Sequence, residues 1–230
     1  MKLKNLLIGL KKKAITLIVI SLVVFAAYFL VHYYQIFSKG YPLDISSTNL
    51  IVARNLHLAD SFSVEDERNV FLSSELVAEK GQRSNLGNRI TPLFYRYVFD
   101  IFGFSVSLPL FVSLFFWSLS AVFIFLILYR LFGLGIGLIG VGIDILLPNF
   151  WITSTTAGFY EVAILFFVMG LFFYLKRKKY FYLLLASCLF AVAILARNAF
   201  IVSFAAIVIF EFYQSNFKIS KKLLFLVLPA

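Results

Sequence analysis

Residues 14–31 read AITLIVISLVVFAAYFLV, an apolar run without a charged side chain. At a rise of about 1.5 Å per residue, a helix of this length crosses most of a hydrocarbon core about 30 Å thick. Lysines precede the run, and the cluster His32-Tyr33-Tyr34 follows it, which predicts an aromatic group at the membrane interface. A cleaved signal peptide would have an apolar core of only about 7–15 residues and a small-residue cleavage site. The run therefore predicts a retained membrane helix over about residues 14–34.

The composition of the whole chain supports a membrane-embedded fold. Hydrophobic residues make up 62% of the 230 residues and charged residues 14%, whereas soluble domains carry about 25% charged residues. The net charge of +10 lies in short clusters beside apolar runs. That pattern favours orientation in a membrane over nucleic-acid binding. The single cysteine, Cys188, allows no disulfide within the chain.

Five further apolar segments follow the first. The six predicted spans lie at about residues 14–34, 108–129, 131–147, 156–175, 181–196 and 199–213. In the third span, Gly133 and Gly137 have the GxxxG spacing of closely packed membrane helices. The last run, Leu223–Ala230, is too short to cross, so either it lies at the interface or the chain is truncated at its C-terminus. We favour truncation and expect one all-α, polytopic transmembrane domain over residues 1–230.

Basic residues are distributed unevenly between the segments that join these spans. Dense basic clusters with almost no acid lie at the N-terminus, at 176–179 and at 218–222. The long segment 37–103 instead mixes its basic residues with eight of the eleven acids. By the positive-inside rule, this predicts a cytoplasmic N-terminus and a large, helical, external first loop. The expected location is the plasma (inner) membrane.

Asp44 lies just beyond the first span and before a predicted helix over about residues 47–60. A partly desolvated carboxylate there has the chemistry of a general base for an acceptor hydroxyl. The alternative is that Asp44 caps the helix that follows it. Arg197 interrupts two apolar runs on the same predicted side. Its guanidinium suits a phosphate, and the alternative is an arginine that snorkels at a helix end.

Glu161 and Asp144 lie near the predicted outer ends of the fourth and third spans. An ionisable side chain within a membrane costs about 2.5–3.5 kcal/mol on insertion scales, so such residues tend to be functional. The alternatives are a Glu161 that caps its helix and an Asp144 that pairs with a basic neighbour. Glu211, near the predicted inner end of the sixth span, is predicted to be structural.

No nucleotide or metal motif accompanies these residues. The sequence has no Walker A run, no GxGxxG after a strand, no HExxH, no EF-hand spacing and no His/Cys cluster. We therefore expect no cofactor and no metal site, with a divalent cation left open. The partners expected are the membrane and its lipids, not nucleic acid.

The order of several short motifs resembles that of a known family. After the first span these motifs are Tyr41-Pro42-Leu43-Asp44, Ala53-Arg54-Asn55-Leu56, Thr91-Pro92-Leu93-Phe94-Tyr95, Phe102-Gly103, Leu147-Pro148 and Tyr160-Glu161. The chain resembles the N-terminal half of GT-C fold membrane glycosyltransferases, the protein O-mannosyltransferase and aminoarabinose-transferase-like group. The resemblance covers most of the 230 residues, although each motif is short.

The resemblance implies positions for catalytic residues. The family's acid in the first external loop falls on Asp44, as the catalytic base, and its acid at the start of the fourth span falls on Glu161. Many members carry a second acid directly after the first, where this chain has Ile45. Two motif residues, Tyr41 and Pro92, would position the loop.

The family's basic residue between the fifth and sixth spans falls on Arg197, and Arg89 and Arg54 are further candidates for phosphate binding. The implied reaction moves a sugar from a polyprenyl-phosphate donor to a glycan, lipid or protein acceptor on the non-cytoplasmic face. Attack on the anomeric carbon would expel the lipid phosphate with inversion, and the arginines would stabilise its charge. The alternatives are a non-catalytic subunit or scaffold whose external loop binds a partner, and a transporter, which internal repeats would indicate.

Overall fold

A computed structural model describes residues 2–38, 50, 53–54, 57, 90–105, 107–146, 160–177, 179–215 and 221–227. Within these residues the chain is all-α, as the sequence predicts, and no strand occurs in them. The eight helices in the described part are α1 (Lys2–Ser38), α2 (Ile90–Phe102), α3 (Leu108–Phe132), α4 (Leu134–Leu146), α5 (Glu161–Tyr174), α6 (Tyr180–Ala196), α7 (Phe200–Gln214) and α8 (Lys221–Val227). Leu50, Ala53, Arg54 and His57 are also helical, in agreement with the helix predicted over residues 47–60.

Two helices contain stretches that are long and apolar enough to span a membrane. These stretches are Ala14–Tyr34 in α1 and Leu108–Phe132, which is the whole of α3. Helices α4, α5, α6 and α7 are apolar but shorter.

The helix bounds differ from the predicted ones where charge was taken as a boundary. The first helix begins at Lys2, within the basic N-terminus, because lysine is a good helix former, but its apolar stretch Ala14–Tyr34 has the bounds of the first predicted span. Arg130 was expected to follow the end of the second span, but α3 continues to Phe132. Gly133 ends it, with a φ of 90° that favours glycine and an N–H that donates to the Tyr129 carbonyl. Predicted and observed bounds of α6 and α7 agree within one residue.

Helix α3 lies at the centre and packs against α1, α4 and α5. It runs antiparallel to α1, since the rings of Phe25 and Phe115 lie 5.5 Å apart and those of Tyr33 and Phe111 lie 6.1 Å apart. Helix α5 packs against both α3 and α6. Helices α1 and α3 are therefore antiparallel neighbours in the bundle.

Glycine permits the closest approach between α5 and α6. A Cβ on Gly170 would lie 2.7 Å from Cε1 of Phe190, so a larger residue would displace that ring. Between α4 and α3, a Cβ on Gly137 would lie 3.2 Å from the Phe125 ring. Of the predicted GxxxG pair, Gly137 thus packs against α3, whereas Gly133 forms the turn between α3 and α4.

The bundle has two ends that differ in their polar residues. The loop end contains the C-terminus of α1 and the N-termini of α3 and α5, and is named for the segment that joins α1 to α2 in the chain. The basic end contains the C-termini of α3 and α5, with Arg130, Lys176 and Arg177. Helix α8 packs along α6 from the basic end, where the Ser187 hydroxyl donates to the Leu226 carbonyl.

Candidate functional site

Glu161 is the first residue of α5 and is 1% exposed. Its Oε1 accepts a hydrogen bond of 2.5 Å from the Tyr95 hydroxyl, and its Oε2 accepts one of 3.0 Å from the backbone N–H of Tyr160. The N-terminus of a helix favours a negative charge, because its first N–H groups point toward it. Glu161 is therefore held by one element through its backbone and by another through a side chain.

Tyr95 reaches Glu161 from α2, which is amphipathic. Its apolar residues recur every three or four positions, so Tyr95, Val98 and Phe99 form a buried face while Tyr97 and Ile101 are exposed. Tyr95 is fully buried in a cluster with Phe99 and with Leu50, Ala53 and Leu110. Gly103, with a φ of 78°, ends this helix.

We expect Tyr95→Phe to lower the free energy of unfolding by about 1.5–3 kcal/mol, the usual range for a hydrogen bond to a charged group. The substitution keeps the buried ring and removes the hydroxyl that donates to Glu161. Denaturant titration in detergent micelles would measure the change. Tyr97→Phe is the matched control, because Tyr97 lies two residues away in α2 and is exposed. An equal effect of both substitutions would contradict the role of the Tyr95 hydroxyl.

Arg197 lies in the short turn between α6 and α7 and is partly buried. Its guanidinium donates a hydrogen bond of 3.1 Å to the Tyr160 hydroxyl and lies 4.5 Å from the centre of the same ring. At the neighbouring Ala196, the backbone carbonyl accepts a hydrogen bond of 3.5 Å from the Thr91 hydroxyl. The start of α2, the start of α5 and the end of α6 thus meet at the loop end.

The structure brings several predicted site residues to this end. Glu161 and Arg197 lie on either side of Tyr160, and Pro92 is buried in the first turn of α2, one residue from Thr91. Arg54 is also buried and follows Ala53, which packs against Tyr95. The remaining predicted residues lie outside the described part of the chain: Tyr41, Asp44 and Arg89.

Tyr95 and Tyr160 are site residues that sequence reasoning missed. Both stood within motifs quoted for the family resemblance, but neither was given a role. The sequence gives no signal for either role, because the two contacts join side chains that are 66 and 37 residues apart in the chain. Tyr160 thus contacts both charged side chains, since its backbone N–H donates to the buried Glu161 carboxylate and its hydroxyl accepts from the Arg197 guanidinium. Such a pair can accept a hydrogen bond from a hydroxyl and donate to an oxyanion.

A second group of buried polar side chains lies between α1, α3 and α4. The rings of Tyr28 and His32 stack 4.1 Å apart, and His32 Nδ1 donates a hydrogen bond of 2.9 Å to the Tyr28 carbonyl. Ser113 and Asp144 are buried as well. The side chain of His32, which is predicted to lie at the membrane interface, is enclosed by protein, because α1 packs this face against α3. No ion pair to Asp144 occurs among the described residues.

Exposed polar contacts connect the helical residue His57 to α2. His57 Nδ1 donates a hydrogen bond of 2.6 Å to Asp100, whose carboxylate also lies 3.6 Å from Nε of Arg96.

Within the residues that the structure covers, no three His, Cys, Asp or Glu side chains group as metal ligands. Comparisons with protein-family models, curated proteins and solved structures find no match to this chain.

Proposed function

We propose that the chain is a polytopic membrane protein with six spans, a cytoplasmic N-terminus and the loop end on the external side. Large apolar side chains that face outward support insertion, since soluble proteins rarely expose extended apolar surface. Examples from four helices are Leu22, Ile139, Phe181 and Val202, which are between 63% and 73% exposed. The dense basic residues at the opposite end of the bundle support the orientation.

Within that frame, the proposed activity is a GT-C-type glycosyl transfer from a polyprenyl-phosphate donor to an acceptor on the external face. The meeting of Glu161, Tyr160 and Arg197 at the loop end is the observation that carries this proposal. These residues come from two different parts of the chain, and the pair of opposite charges matches the two needs of the reaction. One need is to hold acceptor or sugar hydroxyls, and the other is to stabilise the departing phosphate.

In the proposed mechanism Asp44 takes the proton of the acceptor hydroxyl as its oxygen attacks the anomeric carbon. The bond from that carbon to the phosphate oxygen breaks, and the configuration inverts. Arg197, with Arg89 and Arg54, stabilises the charge on the lipid phosphate that leaves. Glu161 orients hydroxyls and is itself held by Tyr95. Tyr41 and Pro92 position the loop that carries Asp44.

The proposal predicts a preference between two kinds of sugar donor. Protein reconstituted in vesicles is expected to transfer labelled sugar from a polyprenyl-phosphate donor and not from a nucleotide sugar, because Arg197 lies between two apolar helices and the sequence has no nucleotide motif. The measurement is labelled product after separation of donor and acceptor, over a panel of sugars and acceptors. Transfer from the nucleotide sugar would contradict the lipid donor. Absence of transfer from every donor would favour a non-catalytic subunit.

A further inference from the structure

Two adjacent cations at the basic end have different surroundings. Arg177 is fully engaged, because it forms an ion pair with Glu211 and donates hydrogen bonds to the Tyr174 hydroxyl, at 2.5 Å, and to Gln214 Oε1, at 2.8 Å. Lys176 has no carboxylate partner among the described residues. Of the two cations, Arg177 is therefore the one that pairs with the Glu211 carboxylate.

Aromatic rings fix the position of the Lys176 ammonium. Nζ lies 4.1 Å from the centre of the Phe172 ring, and 5.7 Å and 5.9 Å from the rings of Phe173 and Tyr182. The face of an aromatic ring attracts a cation, but it carries no net charge. Lys176 is therefore held in place without being neutralised.

The helix register brings Arg130 to the same level. Helices α3 and α5 run parallel, since Phe116 packs against the cluster that contains Val162 and Ala163 at the loop end, and the Phe123 ring lies 5.5 Å from the Phe172 ring further along. Lys176 follows Phe172 by four residues and Arg130 follows Phe123 by seven, so both project beyond this contact toward the basic end. Burial, and then the positive charge of Arg130, lower the pKa of Lys176. The two cations thus lie at the same end of the bundle.

The side chains next to Arg130 are apolar and exposed. Leu131, Phe132 and Leu134 are between 43% and 60% exposed, at the turn where α3 passes into α4. A free phosphate ion would make no favourable contact with this apolar surface. A lipid would place its acyl chains on the surface and its phosphate at the cations. Arg130 also has no ion-pair partner in the described part of the chain.

We propose that Lys176 and Arg130 form a binding site for the phosphate of an anionic lipid headgroup at the basic end of the bundle. Three observations fit that ligand: neither cation has a carboxylate partner among the described residues, the Lys176 ammonium is held in place, and the adjacent turn is apolar. The inference rests on the membrane insertion proposed above and not on the transferase activity, since this site lies at the other end of α5 from Glu161.

The test compares lipids that the protein retains. Full-length protein is placed in nanodiscs that contain phosphatidylglycerol and phosphatidylcholine, and native mass spectrometry of the released complexes counts each bound lipid. We expect wild-type protein to retain phosphatidylglycerol preferentially. Lys176→Gln and Arg130→Gln are each expected to weaken that retention about fivefold, since a basic side chain near an anionic surface contributes about 1 kcal/mol. Added glycerol 3-phosphate is expected to compete poorly.

Lys221→Gln is the matched control, because it removes one exposed lysine charge at the start of α8. It is expected to leave the retention of phosphatidylglycerol nearly unchanged. An equal loss in all three variants would mean a diffuse charge effect and would overturn the site. Wild-type protein that shows no preference for phosphatidylglycerol would overturn it without any variant. Equal competition by glycerol 3-phosphate would replace the lipid with a free phosphate ligand and also overturn the proposal.

Discussion

Glu161→Gln and Asp44→Asn are each expected to reduce sugar transfer at least about 100-fold, the range typical for loss of a general base or of a preorganised electrostatic contact. Both amides keep the size of the side chain and remove its negative charge. For Glu161 the charge is held by the Tyr95 hydroxyl and by the start of α5, so its orientation is fixed before substrate binds. For Asp44 the loss is that of the proton acceptor. The measurement is kcat/KM for the lipid-linked donor in vesicles.

Asp100→Asn is the control for these two substitutions. Asp100 is also a carboxylate, but it lies on α2, is exposed and interacts with His57 and Arg96. We expect its transfer rate to stay within about twofold of wild type, as for a surface substitution. The catalytic assignment fails if Glu161→Gln or Asp44→Asn, with unchanged helix content by circular dichroism, behaves like Asp100→Asn.

The second large effect is expected on stability. Arg177→Met is expected to lower the free energy of unfolding by about 3 kcal/mol or more, because it leaves the carboxylate of Glu211 buried without its cation. The Tyr174 hydroxyl would still donate to that carboxylate, at 2.5 Å, but a neutral donor does not replace the charge. Denaturant titration in micelles, followed by circular dichroism, measures the change.

Two further variants separate the ion pair from the packing around it. The double substitution Arg177→Met with Glu211→Leu is expected to recover much of the lost stability, since a buried pair replaced by apolar residues is often tolerated. Gln214→Ala removes another of the side chains to which Arg177 donates, and we expect it to change stability by less than about 0.5 kcal/mol, because Gln214 is exposed. A double variant no more stable than Arg177→Met would contradict the stated cause.

The helical class and most helix bounds could be predicted because they follow from local features of the chain. Long apolar runs specify α3, α6 and α7, whereas the end of α3 at Gly133 was not predicted. The charge of Arg130 alone does not mark the end of α3, since its long side chain can extend away from the helix while the backbone stays helical. The structural role predicted for Glu211 agrees with its ion pair to Arg177.

Contacts between helices were much harder to predict. Tyr95 and Glu161 are 66 residues apart, and nothing along either segment indicates that they pair. Helices such as α3 and α5 are apolar on every side, so their sequences do not reveal which side packs against which neighbour. The burial of His32 shows the same difficulty, because the sequence does not indicate which face of α1 packs against α3. The family-based roles stay predictions.

Under the proposed insertion into a membrane, the short pair α6 and α7 would have a consequence for the thickness of the bilayer. With 17 and 15 residues, these helices reach only about 23–26 Å at a rise of 1.5 Å per residue. An average hydrocarbon core is about 30 Å thick, so α6 and α7 would be shorter than the hydrocarbon core of the lipids around them. Lipids with shorter acyl tails would relieve that hydrophobic mismatch, and those with longer tails would have to compress locally around the Arg197 turn.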